Sequence, residues 1–315
     1  MNSITPILII YGATGTGKTA FAEVIAQKID GAIINMDMGQ LYTRLSVGTA
    51  KPDWKKSCTP QYLFDVIDKK KDFSAIEYRK KVEKLIKELT KKEKKIIIVG
   101  GTGFYLYNLI FSNKSIKRKS GSKKKWQKIE CLWSHLKEID PKRASEIHRN
   151  DIYRIKRALE IYYDTGNCPS EYAPKFDPVH HNIVLINLDR DTQELQQRVE
   201  QRIERFFIDG WIQEVDTLMQ DGWSDFILKK KFIGYPSLIK MLQEKNNNIQ
   251  DIKKEITQKT MQYVKKQKSF WRGLYKKIKQ NSIETKTITL VDFNLTFAQL
   301  DLYLDLFLKK FFPHE

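Results

Sequence analysis

The segment Gly12-Ala13-Thr14-Gly15-Thr16-Gly17-Lys18-Thr19 fits the pattern G-x-x-x-x-G-K-[ST] at every fixed position. Its glycines let successive backbone N–H groups curl around an anion, and the helix that follows adds positive potential at its N-terminus. In that role Lys18 reaches a terminal phosphate and the Thr19 hydroxyl sits on Mg²⁺. Such a loop specifies a pyrophosphate more firmly than it specifies ATP. NTP hydrolysis usually adds a carboxylate at the end of a second apolar strand. Here the run Ile96–Val99 ends in Gly100-Gly101-Thr102, with no acid. The acid follows a different apolar run, Ala32–Asn35, at Asp37. At the carboxyl end of a strand, Asp37 is placed to ligate a cation, to act as a general base, or to cap a turn.

These residues need a scaffold, and the apolar pattern supplies one. Pro6–Tyr11, Ala32–Asn35, Lys95–Val99 and Ile183–Leu188 read as buried strands, and Thr287–Leu290 as a late one. Thr19–Ile29 and Phe73–Leu89 read as helices between the first three. Strand, helix, strand, helix, strand predicts a parallel sheet covered by helices. The pattern breaks at Asn113–Lys128, where eight of sixteen residues are Lys or Arg and none is acidic, which reads as a loop. Short helices are expected at Trp126–Leu136 and Pro141–His148. A clearer helix, Ile152–Tyr163, is capped by Asn150-Asp151 and stopped by Gly166. Tyr172–His181 reads as loop. Beyond the fourth strand, Asp191–Gly210 has an apolar stripe at Leu195, Val199, Ile203 and Phe206. Its Arg198, Arg202 and Arg205 share another face, and for Arg198 and Arg202 a diphosphate or RNA contact competes with i,i+4 pairing to neighbours such as Glu194 and Glu200. Helices are expected at Ile212–Met219, Ser237–Gln243, Ile249–Trp271 and Phe297–Phe311. The expected fold is α/β: a P-loop parallel-sheet core flanked by helices, with an inserted, mostly helical domain. The boundaries are 1–113 for the first part of the core, 114–181 for the insertion and 182–315 for the second part.

The composition narrows the partners. The chain has 315 residues, with 56 Lys+Arg against 38 Asp+Glu, a net charge of +18. That excess suits a polyanion such as RNA, although a lysine-rich composition alone raises the total as well. No apolar run approaches the ~18 residues of a membrane helix, and Met1–Pro6 lacks the basic start of a secretory signal. The three cysteines, Cys58, Cys131 and Cys168, are too few and too scattered for a disulfide framework or a four-cysteine zinc site, so a reducing cytoplasm is expected.

Several separate motifs then resemble, in order, the bacterial tRNA dimethylallyltransferases. They are Asp37-Met-Gly-Gln-Leu-Tyr-Thr-Arg44, Val47-Gly-Thr-Ala-Lys-Pro52, Val99-Gly-Gly-Thr-Gly-Phe-Tyr105, Arg157-Ala-Leu-Glu160, Gly234-Tyr235 and the stretch Thr260–Arg272. The resemblance implies transfer of a dimethylallyl group from dimethylallyl diphosphate to N6 of adenosine 37, beside the tRNA anticodon. Gly12, Ala13, Thr14, Gly15, Thr16, Gly17, Lys18 and Thr19 would then hold the diphosphate of an allylic donor, with Mg²⁺ on Thr19. Asp37 would be the general base, with Thr102 and Lys231 beside it as catalytic residues. Gln40, Arg154, Arg157, Lys265, Lys266, Gln267 and Arg272 would bind tRNA, and the insertion would be a tRNA-binding domain. A cytoplasmic monomer is implied, working on the anticodon stem-loop with no membrane and no obligate protein partner. The chain departs from the family's usual residues at Lys231 (commonly Arg), Met38 (often Ser), Gln61-Tyr62 (paired histidines), and Met261 and Lys266 (arginines). Lys keeps the charge of Arg but loses its planar fork.

Acting on a base inside a folded RNA loop requires extracting it, which needs cations for phosphates and aromatic or apolar groups for bases. Thr257–Lys279 interleaves both: Lys265, Lys266, Lys268 and Arg272 with Tyr263, Phe270 and Trp271. That strip separates this reading from a small-molecule kinase, which has no need of it; the third reading the P-loop allows, an RNA-binding switch, predicts no turnover and no need of Asp37.

Overall fold

The computed structural model describes residues 5–112, 131–245, 248–282, 287–294 and 300–312. The basic run 114–128 lies outside them. The described chain divides into two compact units, Met1–Tyr107 with Val179–Glu315, and Asn108–Pro178.

The larger unit is built on six strands: β1 (Ile7–Gly12), β2 (Gly31–Asn35), β3 (Gln61–Tyr62), β4 (Lys95–Gly100), β7 (Ile183–Asp189) and β8 (Ile288–Asn294). They lie in the order β3-β2-β4-β1-β7-β8, every pairing parallel. Every residue of β1 and β2 is buried, which is why both read as unbroken apolar runs rather than alternating ones. Register aligns the carboxyl ends: Tyr11 faces Gly100 on one side and Asn187 on the other. On one face of the sheet, α1 (Lys18–Lys28) packs Phe21 and Ile25 against Leu8, Ile10 and Ile97, and the helix Leu300–Phe311 adds Leu304 and Phe307. Tyr11 points the other way, as strand alternation requires, and stacks on Trp271 of the long helix Ile249–Ser282 at 5.7 Å. The helix α2 (Ala75–Lys91) starts with a capping box between Ser74 and Glu77. Its Tyr78 reaches Asn35 O at 2.9 Å, tying α2 to the end of β2.

The long helix does not stop at Trp271 as the pattern suggested. Leu274 and Ile278 continue its buried face, so it runs to Ser282. The helix Ser224–Lys230 was not anticipated at all.

The smaller unit packs Leu136, Ala144, Ile155 and Leu159 from the helices Leu132–Ile139, Pro141–Ser145 and Ile152–Thr165. Asp151 caps the last of these on Arg154 N–H at 3.1 Å, and Gly166 ends it at φ +82°. The stretch read as loop, Tyr172–His181, contains a strand, β6 (Lys175–Phe176), antiparallel to β5 (Phe111–Ser112). Two-residue strands are too short for any alternation to show.

Candidate functional site

The glycine-rich loop leaves β1 at Gly12, where a Cβ would lie 2.5 Å from Leu188 O, so no side chain fits. Gly15 and Gly17 take φ +88° and +92°, which only glycine adopts freely. Arg198 Nε donates to Gly15 O at 2.8 Å and Arg190 Nε to Thr16 O at 2.9 Å. Thr16 Oγ1 and Lys18 Nζ both donate to Ala13 O, at 2.9 and 2.7 Å. With these carbonyls held from behind, the loop presents the N–H groups at the head of α1, which have no intrahelical partner. Burial pushes the Lys18 ammonium down to about 8 against the opposing pull of the Asp37 charge, and Arg202 adds to the lowering. Thr19 is exposed in the first turn of α1.

Asp37 lies two residues past β2. Asn35 Oδ1 accepts its N–H at 2.9 Å while Asn35 Nδ2 donates to Leu63 O at 2.9 Å, so the strand end is locked from both sides. Gly39 N–H donates to Asp37 Oδ1 at 3.0 Å. Thr102 Oγ1 accepts the next N–H, that of Met38, at 3.0 Å. Burial raises the Asp37 carboxyl above the ordinary carboxylate range, with Lys18, the Gly39 N–H and Arg202 each pulling it back. A carboxylate moved upward and still next to cations is suited to accept a proton near neutral pH.

Asp37, Thr102, Arg202, Lys231 and Tyr263 face a cavity of about 290 Å³. Its other wall is apolar: Val199, Ile203, Phe206, Trp211 and Phe232. Arg202 lies over the Phe206 ring at 5.1 Å and donates to Thr49 O at 3.4 Å. The helix Thr192–Ile208 thus turns Arg198 and Arg202 toward loops at the site, not toward Glu194, whose partner is Arg190. Lys231 ends the helix Ser224–Lys230 in a left-handed turn, φ +54°. Glu214 holds the Ser46–Gly48 edge of the cavity by accepting the N–H groups of Ser46 and Val47 at 2.9 and 2.7 Å.

The residues expected on the RNA side separate. Lys265, Lys266 and Arg272 are exposed on the long helix. In the smaller unit Arg154 is exposed with a 3.3 Å contact to Asp151, and Arg157 pairs with Glu160 at 3.0 Å. Gln40 turns inward: its Nε2 donates to Thr49 O and Ala50 O, both at 3.1 Å, bracing the turn that carries Thr49. Gln267 corrects the sequence reading. It is 5% exposed, accepts Thr14 N–H at 2.9 Å and donates to Gly101 O at 2.9 Å, so its amide is spent inside the protein. Gln267 is a strut between the glycine-rich loop and the Gly100-Gly101 turn, not an RNA contact. Gln267→Ala leaves that buried N–H and carbonyl unpaired, at a cost of about 1–3 kcal/mol each. The variant should melt earlier than wild type and bind inorganic diphosphate more weakly, which calorimetry of both reads directly.

Asn35, Arg190 and Glu214 were missed by sequence reasoning. Only Asn35 carried a local signal, a polar residue ending an apolar strand two positions before the acid.

The fold and the site define a class: an α/β protein that gathers a glycine-rich loop, a desolvated carboxylate and a half-buried arginine at the carboxyl edge of a parallel sheet. Residues 40–274 match the model of the family described as IPP transferase. The chain is 32% identical over 279 residues to the tRNA dimethylallyltransferase of Acetivibrio thermocellus, covering 85% of this chain and 89% of that one. It is 34% identical over 276 residues to the enzyme of the same name from Petrotoga mobilis, covering 85% and 91%. Among solved structures it is similar to the tRNA delta(2)-isopentenylpyrophosphate transferase of Staphylococcus epidermidis, with TM-score 0.64, 25% identity and coverage of 98% and 100%. A eukaryotic dimethylallyltransferase acting on tRNA superposes with TM-score 0.70 and 25% identity, covering 92% of this chain and 74% of that one. The chain belongs to the IPP transferase family and is an enzyme.

Proposed function

We propose that this enzyme transfers the dimethylallyl group of dimethylallyl diphosphate to N6 of adenosine 37 in tRNA and releases diphosphate. The observation that carries the reading is one cavity in which the Asp37 carboxylate and Arg202 face an apolar wall, beside the glycine-rich loop and Lys18.

The chemistry follows from the two reactants. The exocyclic amine of adenine is a weak nucleophile because its lone pair is delocalised into the ring. Asp37 accepts the N6 proton as the nitrogen bonds to C1 of the donor, and the C1–O bond breaks with its electron pair passing to diphosphate. The departing charge is met by the N–H groups of Gly17, Lys18 and Thr19 at the head of α1 and by the Lys18 ammonium, the Thr14 and Thr16 N–H groups being paired within the protein. A polyanion beside Lys18 favours its charged form further. Thr102 fixes the Asp37 turn through Met38, and Lys231 adds a cation at the cavity's edge.

Among the described residues no group of three or more His, Cys, Asp or Glu forms a metal cage. Mg²⁺ bound to a diphosphate keeps water and substrate oxygens for most of its ligands and asks the protein for one or two. The exposed Thr19 hydroxyl beside the loop fits that role. Bound there, Mg²⁺ would neutralise charge on the diphosphate.

The anticodon stem-loop is the macromolecular partner in this reading. Lys265, Lys266 and Arg272 contact its phosphates, and Arg154 and Arg157 place the smaller unit on the same RNA. The enzyme works in the cytoplasm as a monomer. Changing Lys265 and Lys266 to Ala should lower the slope of log K for tRNA against log[salt] by about one unit per lysine. A slope that stays put in a salt titration would remove them from the interface.

The direct test is transfer of labelled dimethylallyl diphosphate to total tRNA with Mg²⁺, followed by mapping of the labelled nucleotide. Label at adenosine 37 supports the reading. Absence of label, with ATP consumed on a metabolite, replaces it with the kinase.

A further inference from the structure

The polar groups of the cavity are accounted for by the reaction, but its apolar lining has a construction of its own. The stripe on the helix Thr192–Ile208 begins against the glycine-rich loop, since a Cβ on Gly15 would lie 3.6 Å from both Leu195 and Val199. It continues through Ile203 to Phe206. Trp211 lines the same cavity next to Phe206. This indole is 1% exposed and meets Phe206 and Tyr235 edge to face, with centroids 5.3 and 5.5 Å away.

Two glycines hold the indole in place. A Cβ on Gly48 would lie 2.1 Å from Trp211 Nε1, and one on Gly234 would lie 2.1 Å from its Cη2. Backbone therefore backs the ring at two points of its edge, and a ligand pressing on it meets a wall that cannot retreat. The Gly48 side is itself stiffened, because Glu214 accepts the flanking Val47 N–H at 2.7 Å and the Tyr235 hydroxyl at 2.7 Å.

A wall is needed here for a chemical reason. Allylic diphosphates of different length present the same diphosphate and the same reacting carbon. They differ only at the far end of the tail. An apolar slot without an end favours the longer tail, because every added CH₂ that fits is removed from water. Only steric closure selects the shorter donor.

We propose that Trp211 is the chain-length gauge of the donor slot: it closes the slot after one isoprene unit and so excludes geranyl diphosphate. The inference rests on the prenyl-transfer reading above. Trp211 touches no reacting atom in this role. It sets specificity, and the quantity it controls is the ratio of kcat/KM for the two donors.

The test uses the full-length protein with tRNA and Mg²⁺. kcat/KM is measured separately with dimethylallyl and geranyl diphosphate, for wild type, Trp211→Phe and Trp211→Leu. Wild type should favour the five-carbon donor by about 100-fold or more. The variants should shrink that ratio by about tenfold or more, with Leu beyond Phe, through a rise in the geranyl value. A general loss of packing lowers both values together and leaves the ratio alone, so a folded variant with an unchanged ratio overturns the gauge. A wild type that takes both donors equally overturns it too. Wild type that transfers neither donor overturns the prenyl-transfer reading, and the gauge falls with it. If Trp211→Leu melts below the assay temperature, Trp211→Phe, which keeps a ring between the two glycines, decides the matter.

Discussion

Asp37→Asn should lower kcat for prenyl transfer by about 10²–10⁴-fold. The substitution is nearly isosteric, and the amide oxygen can still accept the Gly39 N–H that Asp37 Oδ1 takes at 3.0 Å. The turn therefore survives, and the loss reports proton transfer, not folding. Donor binding should hold or tighten, because a negative charge near the diphosphate site has been removed. The pH profile gives a second readout. The active form is the carboxylate, so kcat/KM rises with pH as Asp37 loses its proton. Burial raises its pKa above the ordinary aspartate value, so the rise comes at a higher pH than a solvated aspartate would give. Asp37→Asn should erase that acid limb. A variant that keeps both the rate and the limb would remove Asp37 as the base.

The parts of this site that could be read in the sequence are those whose signal is local. The glycine spacing of residues 12–19 is a backbone requirement written into eight consecutive positions. Asp37 was legible because an apolar run marks its strand, and parallel sheets place ligands at carboxyl ends. The groups that brace these elements were not legible, because each comes from far away. Arg190 reaches Thr16 across 174 residues, and Gln267 reaches Thr14 across 253. Gln267 was misplaced for a physical reason. It sits among lysines on a helix, and periodicity alone did not reveal that its side chain points inward while Lys265 and Lys266 point out. The open choice for Arg198 and Arg202 had a related cause: i,i+4 spacing offers Arg198 the carboxylate of Glu194, and only tertiary packing turns both arginines to the loops. Strand order was beyond the pattern as well. Apolar runs show that β4 is a strand, not that it inserts between β1 and β2.

Lys18→Ala should cost about 10²–10³-fold in kcat/KM, in line with the loss of one preorganised group that stabilises developing charge. Lys18→Arg should not restore it. The lysine ammonium is buried and packed 2.7 Å from Ala13 O, and a planar guanidinium is too wide to be held at that point without moving the loop. The removal has a further consequence at Asp37. The Lys18 charge is the largest influence holding the Asp37 pKa down against burial, ahead of the Gly39 N–H and Arg202. Without it the carboxyl moves further up, and the acid limb of kcat/KM shifts to higher pH in Lys18→Ala than in wild type. The loss should therefore be larger in acid than in mild alkali. A variant that loses activity equally at every pH would mean that Lys18 serves the diphosphate alone and that its charge does not tune the base.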